Sequence, residues 1–252
     1  MELNKDNYYS LESNQEYMSY SQFKDFNKCP AMAMAKINGT YQEEMTDSLL
    51  VGMYVDAYLD GEIMKFAQEY PQIFNSRTGE LKAPFKLADD LCIRIEEDEY
   101  LYGLLKGDRQ TIITGQIAGV KFKGKIDSLL ADCIVDGKVL KDCEDVYKNG
   151  EKMPFYKANG YDIQGAIYTT LYRQMTGRSL PFRLAVITKE KTPDKRVFEF
   201  SEQTLDDALQ EIIAKATVFA SIKRGDEPIY RCECCDYCKS SKYLSKDDVE
   251  YL

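Results

Sequence analysis

The chain has 252 residues, 44% hydrophobic and 30% charged, with a net charge of −9 and no histidine; this is the composition of a soluble globular protein of one large domain, or one domain with a sub-lobe. The missing histidine excludes Ser-His-Asp and Cys-His catalysis and His-ligated zinc, which leaves carboxylates, Lys, Tyr, Cys or a bound cofactor to carry any chemistry. The acidic balance argues against a protein that coats nucleic acid by broad electrostatics, but an acidic site holding a divalent cation can still attract phosphate.

No apolar run approaches the roughly 20 residues that span a bilayer, and the start Met1 to Asp6 lacks a signal-peptide pattern. A cytoplasmic protein with no membrane contact is expected, and its eight cysteines then read as buried thiols or metal ligands rather than a disulfide framework. Residues 1–18 are polar and read as a poorly ordered lead-in. Residues 19–252 read as a single domain whose tail, 230–252, is rich in cysteine. Ser19 or Ser21 can cap a helix carrying Phe23, Phe26, Met32 and Met34. Residues 46–69 predict a longer helix, with Leu49, Leu50, Met53, Tyr54, Ala57 and Tyr58 at helical spacing. Asn75 to Gly79 is a turn signal, and residues 84–105 predict another helix.

The pattern changes from Thr111 to Leu140. Ile112, Ile113, Val120, Phe122, Ile126, Ile134 and Val135, punctuated by glycines, predict three short strands. A long helix follows from Tyr161 to Met175 and stops at Gly177. Residues 181–188 and 195–200 predict two further strands, and Ser201 opens a last long helix that ends near Gly225. The core order is helix, three-strand meander, helix, strand. It predicts a mixed α/β fold with a small sheet covered by helices, N-terminal helices added before it, and a C-terminal helix plus cysteine tail after it.

Asp136 and Lys138 lie two apart on a predicted strand, so their side chains share a face. Asp127 ends the preceding strand, and a hairpin turning at Ala131 to Cys133 would bring it beside Asp136. Two carboxylates and a backbone carbonyl suit Mg²⁺ or Mn²⁺, and Lys138 beside the ion would orient an attacking water or balance charge on phosphorus. Glu80-Leu81-Lys82 also fits an acid-x-Lys pattern, but no acidic strand precedes it. Lys121, Lys123 and Lys125 alternate along one strand, as contacts for DNA phosphates or as a solvated face. Lys189, Lys191 and Lys195 pose the same choice.

The run GKIDSLLADCIVDGKVLKD resembles motifs II and III of PD-(D/E)XK nucleases. The helix YDIQGAIYTTLYRQ resembles the Gln-x-x-x-Tyr motif of their RecB-like branch, at Gln164 and Tyr168, which share a helix face. The segments SYSQFKDFNKCP and RCECCDYCKSSKYL are similar to the ends of RecE-like phage and prophage exonucleases (exodeoxyribonuclease VIII-like). The resemblance spans about residues 19 to 245. It implies a restriction-endonuclease-like fold and a Mg²⁺- or Mn²⁺-dependent exonuclease acting on linear duplex DNA ends. Asp127 and Asp136 would be metal ligands, with Lys138 catalytic beside them, in an enzyme that hands single strands to an annealing protein and can form a homo-oligomer. The branch takes a further ligand, often histidine, from a Gly-x-x-x-His helix; Gly52 to Asp56 puts Asp56 in that place, as a ligand or as a solvated helix residue. Two departures from the pattern stand out. Gln116 lies on the strand before Asp127, where an acid would be more useful. Gly137 stands where an apolar residue is expected, which weakens a strand and leaves a gap, or lets backbone approach a metal or DNA. These departures motivate the alternative of a catalytically decayed nuclease fold acting as a DNA-binding or assembly protein.

Cys232, Cys235 and Cys238 have a spacing that can wrap a metal, and Cys29 before Pro30 is a candidate fourth ligand. RecB-like relatives join one early cysteine to three late ones around an iron–sulfur cluster, and this layout is similar, with tighter tail spacing. Thiolates favour zinc or iron–sulfur over hard ions. An all-tail site using Cys234, with Cys29 a buried thiol, stays open beside it.

Overall fold

The computed structural model describes residues 1–148 and 150–249, so the end of the cysteine tail, 250–252, lies outside the described residues. Two compact units are present. The smaller is made of Met1–Glu43, Gln116–Lys123 and Glu211–Leu252, and the larger of Glu44–Gly115 and Gly124–Gln210.

In the smaller unit the N-terminal segment is ordered, contrary to the expectation of a loose lead-in. Ser10 caps helix α1 (Leu11–Glu16) by accepting from the Ser13 amide, and Tyr8, Ser13, Tyr17 and Met18 are buried. A buried lysine explains why so polar a segment packs. The Lys123 ammonium donates to the Tyr8 carbonyl at 2.5 Å, Ser13 Oγ at 2.6 Å and Asn14 Oδ1 at 2.8 Å, so polar atoms of the lead-in supply the partners that a buried cation requires. The strand β1 (Met18–Ser19) pairs in parallel with β3 (Val120–Leu129), Met18 opposite Phe122 and Ser19 opposite Lys123. Ser19, of the two candidates, caps α2 (Tyr20–Lys28). The predicted first helix is two. Cys29 is extended and caps α3 (Pro30–Ile37), where Pro30 starts a new helix because its missing N–H costs nothing in a first turn. Phe23 and Phe26 pack on Phe219 with ring centroids 5.3 and 5.2 Å apart; Phe219 lies on α10 (Glu202–Arg224).

In the larger unit, Thr46 caps α4 (Asp47–Leu59), and the helix predicted to continue breaks at Gly61, whose φ of 74° is left-handed, before α5 (Ile63–Glu69). The stretch 84–105 likewise divides into α6 (Ala83–Glu96) and α7 (Glu99–Leu105), the second capped by Asp98. The meander follows as β2 (Asp108–Ile117), β3 and β4 (Ile134–Leu140). A small hairpin, β5 (Val146–Lys148) with β6 (Glu151–Met153), and a short helix α8 (Phe155–Asn159) then intervene. They are too short to leave a periodic signal in the sequence. Helix α9 (Tyr161–Thr176) ends at Gly177. β7 (Phe182–Thr188) runs parallel to β4, and β8 (Lys195–Glu199) antiparallel to β7. The predicted order of helix, three-strand meander, helix and strand is therefore present as α7, β2 to β4, α9 and β7.

β4 lies between β3 and β7, and its two faces differ. Val135 and Val139 join a core with Leu50, Val55, Leu91, Ile95, Leu105 and Ile187. On the other face Leu184 and Val186, in register with Asp136 and Lys138, pack with Phe155 and Tyr161. Each buried aliphatic contributes roughly 1.5–3 kcal/mol, and a one-residue slip of β4 would turn Asp136 into the apolar core. The hydrophobic alternation thus fixes which way the acid and the lysine face. Among the described residues no helix is long and apolar enough to cross a membrane.

Candidate active site

β3 and β4 are antiparallel, with Ser128 opposite Val135 and Leu129 opposite Ile134. One step farther in this register Asp127 stands opposite Asp136, as the sequence spacing predicts. Asp127 Oδ2 accepts the Gly137 amide at 3.1 Å. Asp136 is 1% exposed. Its Oδ1 accepts from Gln164 Nε2 at 2.6 Å, and its Oδ2 forms an ion pair with the Lys138 ammonium.

Helix α9 supplies the upper wall. Gln164 Nε2 also donates to the Tyr168 hydroxyl at 3.2 Å, and that hydroxyl donates to the Lys125 carbonyl at 3.1 Å. The predicted pair therefore acts as a bracket between the helix and two strands. Tyr168 fits because residue 124 is glycine: a Cβ there would come within 2.9 Å of Tyr168 Cε1. Tyr161, one turn before Gln164, was not singled out in the sequence. Its buried ring lies with its centroid 5.7 Å from Lys138 Nζ, within cation–π range. The spacing Tyr161, Gln164, Tyr168 on one helix face was the signal that could have found it.

Asp56 on α4 is partly exposed and belongs to the same electrostatic group. Burial pushes its carboxyl up to about 7, the Asp127 carboxylate adds to the rise, and Lys138 opposes it. Burial also pushes Asp136 up, to about 8, with Lys138 opposing and Asp127 adding to the rise. For Lys138 burial works to lower the pKa, but Asp136, Asp127 and Asp56 outweigh it and hold the ammonium charged beyond its usual range. Three carboxyls crowd one pocket, and each makes it harder for the next to ionise.

These residues fit a hard divalent cation. Asp136 Oδ2 is buried and receives no aligned hydrogen bond despite its ion pair, and Gln164 Oε1 is buried without a partner. Carboxylate oxygens are the donors that Mg²⁺ and Mn²⁺ prefer. A cation would relieve the crowding of negative charge and could take Asp136 Oδ2 as a ligand.

Gly137 leaves no gap. Its Cβ position is 3.0 Å from Leu105 Cδ2, so a leucine from α7 fills the space of the absent side chain. Glu80 of the competing acid-x-Lys pattern is exposed and pairs with Lys86 at 3.1 Å. Gln116 is exposed and falls in the smaller unit. The alternating lysines are not a uniform face: Lys123 is 1% exposed, and Lys121 pairs with Glu16 at 2.7 Å. Lys189 donates to Ser48 Oγ at 2.6 Å and Lys195 pairs with Asp98 at 2.6 Å.

In the smaller unit the sulfurs of Cys29, Cys232, Cys235 and Cys238 all lie within 4.8 Å of one another. This is the predicted set of one early and three late cysteines. Cys234 is exposed and lies outside it, and Cys92 and Cys133 are buried elsewhere.

Residues 19–241 match the family model described as a PDDEXK-like domain of unknown function (DUF3799). No curated protein matches the chain. The crystal structure of a protein from Eubacterium rectale, named a "putative exonuclease", aligns at 40% identity with a TM-score of 0.93, covering 98% of this chain and 96% of that one. The crystal structure of SSO0001 aligns at 16% identity with a TM-score of 0.31, covering 77% of this chain and 85% of that one, a likeness too low to inform the fold. The meander, the bracketing helix and the parallel strand are thus a restriction-endonuclease-like core, and the chain belongs to the PDDEXK-like family DUF3799.

Proposed function

We propose that this chain is a divalent-metal-dependent nuclease that hydrolyses phosphodiester bonds of DNA, working as an exonuclease at linear duplex ends. The observation that carries the reading is the meeting of Asp127, Asp136 and Lys138 under Gln164, with Asp56 in the same electrostatic group. Asp127, Asp136 and Asp56 would hold Mg²⁺ or Mn²⁺. When bound, the ion supplies Lewis-acid polarisation of a phosphate and lowers the pKa of water. Gln164 fixes the rotamer of Asp136, and Tyr168 fixes Gln164 against the strand. The Lys138 ammonium, held charged by its acidic neighbours and covered by Tyr161, orients the attacking water and balances charge on the phosphate. The four cysteines would hold a second, structural metal centre, zinc or iron–sulfur.

The finer reading is a RecE-like enzyme of phage or prophage recombination. It would work in the bacterial cytoplasm, resect duplex ends and pass single strands to an annealing protein, as a homo-oligomer. Its support is the ordered set of motifs and the likeness to the Eubacterium rectale protein.

The test incubates purified protein with end-labelled linear and covalently closed DNA in Mn²⁺ or Mg²⁺. Digestion of the linear form alone, stopped by chelation, is expected. Asp136→Ala and Lys138→Ala should each lose roughly three orders of magnitude in rate while remaining folded by circular dichroism, the loss expected when several kcal/mol of transition-state stabilisation is removed. Wild-type rates in both variants would sink the assignment. End binding without digestion by the wild type would mark a DNA-binding or assembly protein on a decayed nuclease fold.

A further inference from the structure

The cysteine cluster carries a distinction that sequence spacing leaves open. Cys29 Sγ lies 3.5 Å from Cys238 Sγ, and Cys232 Sγ lies 3.9 Å from Cys238 Sγ. A tetrahedral zinc ion with Zn–S bonds of about 2.3 Å sets its sulfurs about 3.8 Å apart. The two separations fall on either side of that value, and no pair in the set exceeds 4.8 Å. An iron–sulfur cluster distributes its cysteines over different irons with sulfide between them, which holds those sulfurs much farther apart. The space among these four suits one ion and is too small for a cluster.

Three of the four sulfurs accept backbone amides. The Met32 amide donates to Cys29 Sγ at 3.5 Å, the Cys235 amide to Cys232 Sγ at 3.3 Å, and the Cys238 amide to Cys235 Sγ at 3.4 Å. In each case the donor lies three residues after the cysteine, so tight turns aim N–H groups at sulfur, as outer-shell partners do around metal-bound ligands. Four thiolates and one dication leave a net charge of −2. Arg231, which pairs with Glu233 at 2.8 Å, donates to the Cys238 carbonyl at 2.6 Å. Cys29, Cys235 and Cys238 are buried, which excludes the water and labile ligands of an open site.

We propose that Cys29, Cys232, Cys235 and Cys238 hold a single zinc ion as a closed, structural tetrathiolate, and not an iron–sulfur cluster. On binding, four S–H protons leave to solvent and four Zn–S bonds form, with no change of oxidation state. The site pins α3 to the tail across about 200 residues of chain, where a clip is most effective by the loop-entropy estimate. It rests on the proposed structural metal centre at these cysteines and does not depend on the nuclease reading of the acidic pocket.

The test is the metal content of the full-length protein purified without oxygen, with acid-labile sulfide and the visible spectrum measured on the same sample. One zinc per chain, no sulfide and no visible absorption are expected. Exchange with Co²⁺ should then give the strong visible bands of a tetrahedral thiolate site. Cys234→Ser should keep both the zinc and the cobalt bands, whereas Cys238→Ser should lose them. If Cys238→Ser fails to fold, the spectrum of the cobalt-exchanged wild type still decides. Several irons with sulfide, a single iron, or a chain that takes up neither zinc nor cobalt would overturn the proposal, and loss of metal in Cys234→Ser would overturn the ligand set.

Discussion

Gly137 sits between the two residues on which the chemistry depends, and Leu105 occupies the space its side chain would take. A larger residue must displace Leu105 or the strand. Gly137→Val should therefore lose about 1–3 kcal/mol of stability by overpacking, measured by denaturant unfolding; an unchanged midpoint would show that Leu105 yields freely. Gln164 poses the complementary case, since its amide is the partner of Asp136 Oδ1. Gln164→Ala should lower the cleavage rate by roughly 10- to 100-fold, corresponding to about 1.5–3 kcal/mol for a hydrogen bond to a charged group. It should leave the Asp127–Gly137 contact in place, so binding of linear duplex should change little. Equal loss of binding and rate would place Gln164 in general packing instead. Asp127, Asp136 and Lys138 were legible because strand alternation puts Asp136 and Lys138 on one face and a hairpin turns Asp127 toward them, whereas Gln164 and Tyr168 were legible only through the resemblance to the Gln-x-x-x-Tyr motif. Leu105 and Tyr161 were not. Nothing local in the sequence says which leucine of a distant helix will fill a glycine's place, and the start of a helix is easily discounted as a boundary residue.

Elements were legible where their signal was long. The three meander strands, α9 and the last long helix were expected near their observed positions because each carries a sustained period. The predicted helices of 46–69 and 84–105 each broke, at Gly61 with its left-handed backbone and before the Asp98 cap, since apolar spacing can continue across a turn that caps interrupt. The hairpin β5–β6 has strands of only three residues. The seating of α9 against β3 depends on Gly124, where a Cβ would meet the Tyr168 ring. Gly124→Val should push Tyr168 from its bond with the Lys125 carbonyl, destabilise the protein by about 1–3 kcal/mol and reduce cleavage together with stability. Unaltered melting and cleavage would show that the helix adjusts at no cost. This glycine was visible in the sequence only as punctuation in a strand, because its reason is a side chain about 40 residues away in the chain.

Across the whole molecule, the acidic net charge hides two lysines held in the smaller unit without an acidic partner in their hydrogen bonds. Lys123 donates to the Tyr8 carbonyl, Ser13 and Asn14, and Lys223 to the Tyr17 carbonyl at 2.6 Å and Gln22 Oε1 at 2.9 Å. Burial lowers their pKa values, to about 8 for Lys123 and about 7 for Lys223, where the positive charge of Lys123 adds to the fall. An unfolded lysine keeps its proton to about pH 10.4. Between the folded and unfolded values the unfolded chain binds more protons, so stability should rise with pH from about 7 toward 10, and be insensitive to these groups below that window. The Tm of wild type relative to Lys123→Met should accordingly rise between pH 7 and 9.5; a constant difference would show that Lys123 titrates as a free lysine. The composition gave no hint of this, since alternating lysines on a strand read as a solvated face or as a DNA face. The division of the chain has a consequence for biosynthesis. The larger unit is complete once residue 210 has been made, whereas the smaller one needs residues 1–43 to wait for residues 211–252. Cys29 is made about 200 residues before the three sulfurs it lies beside. A message cut short before Cys232 would yield every residue of the acidic pocket and none of the later thiols, so the gathered sulfurs mark a chain that has been read past the whole pocket.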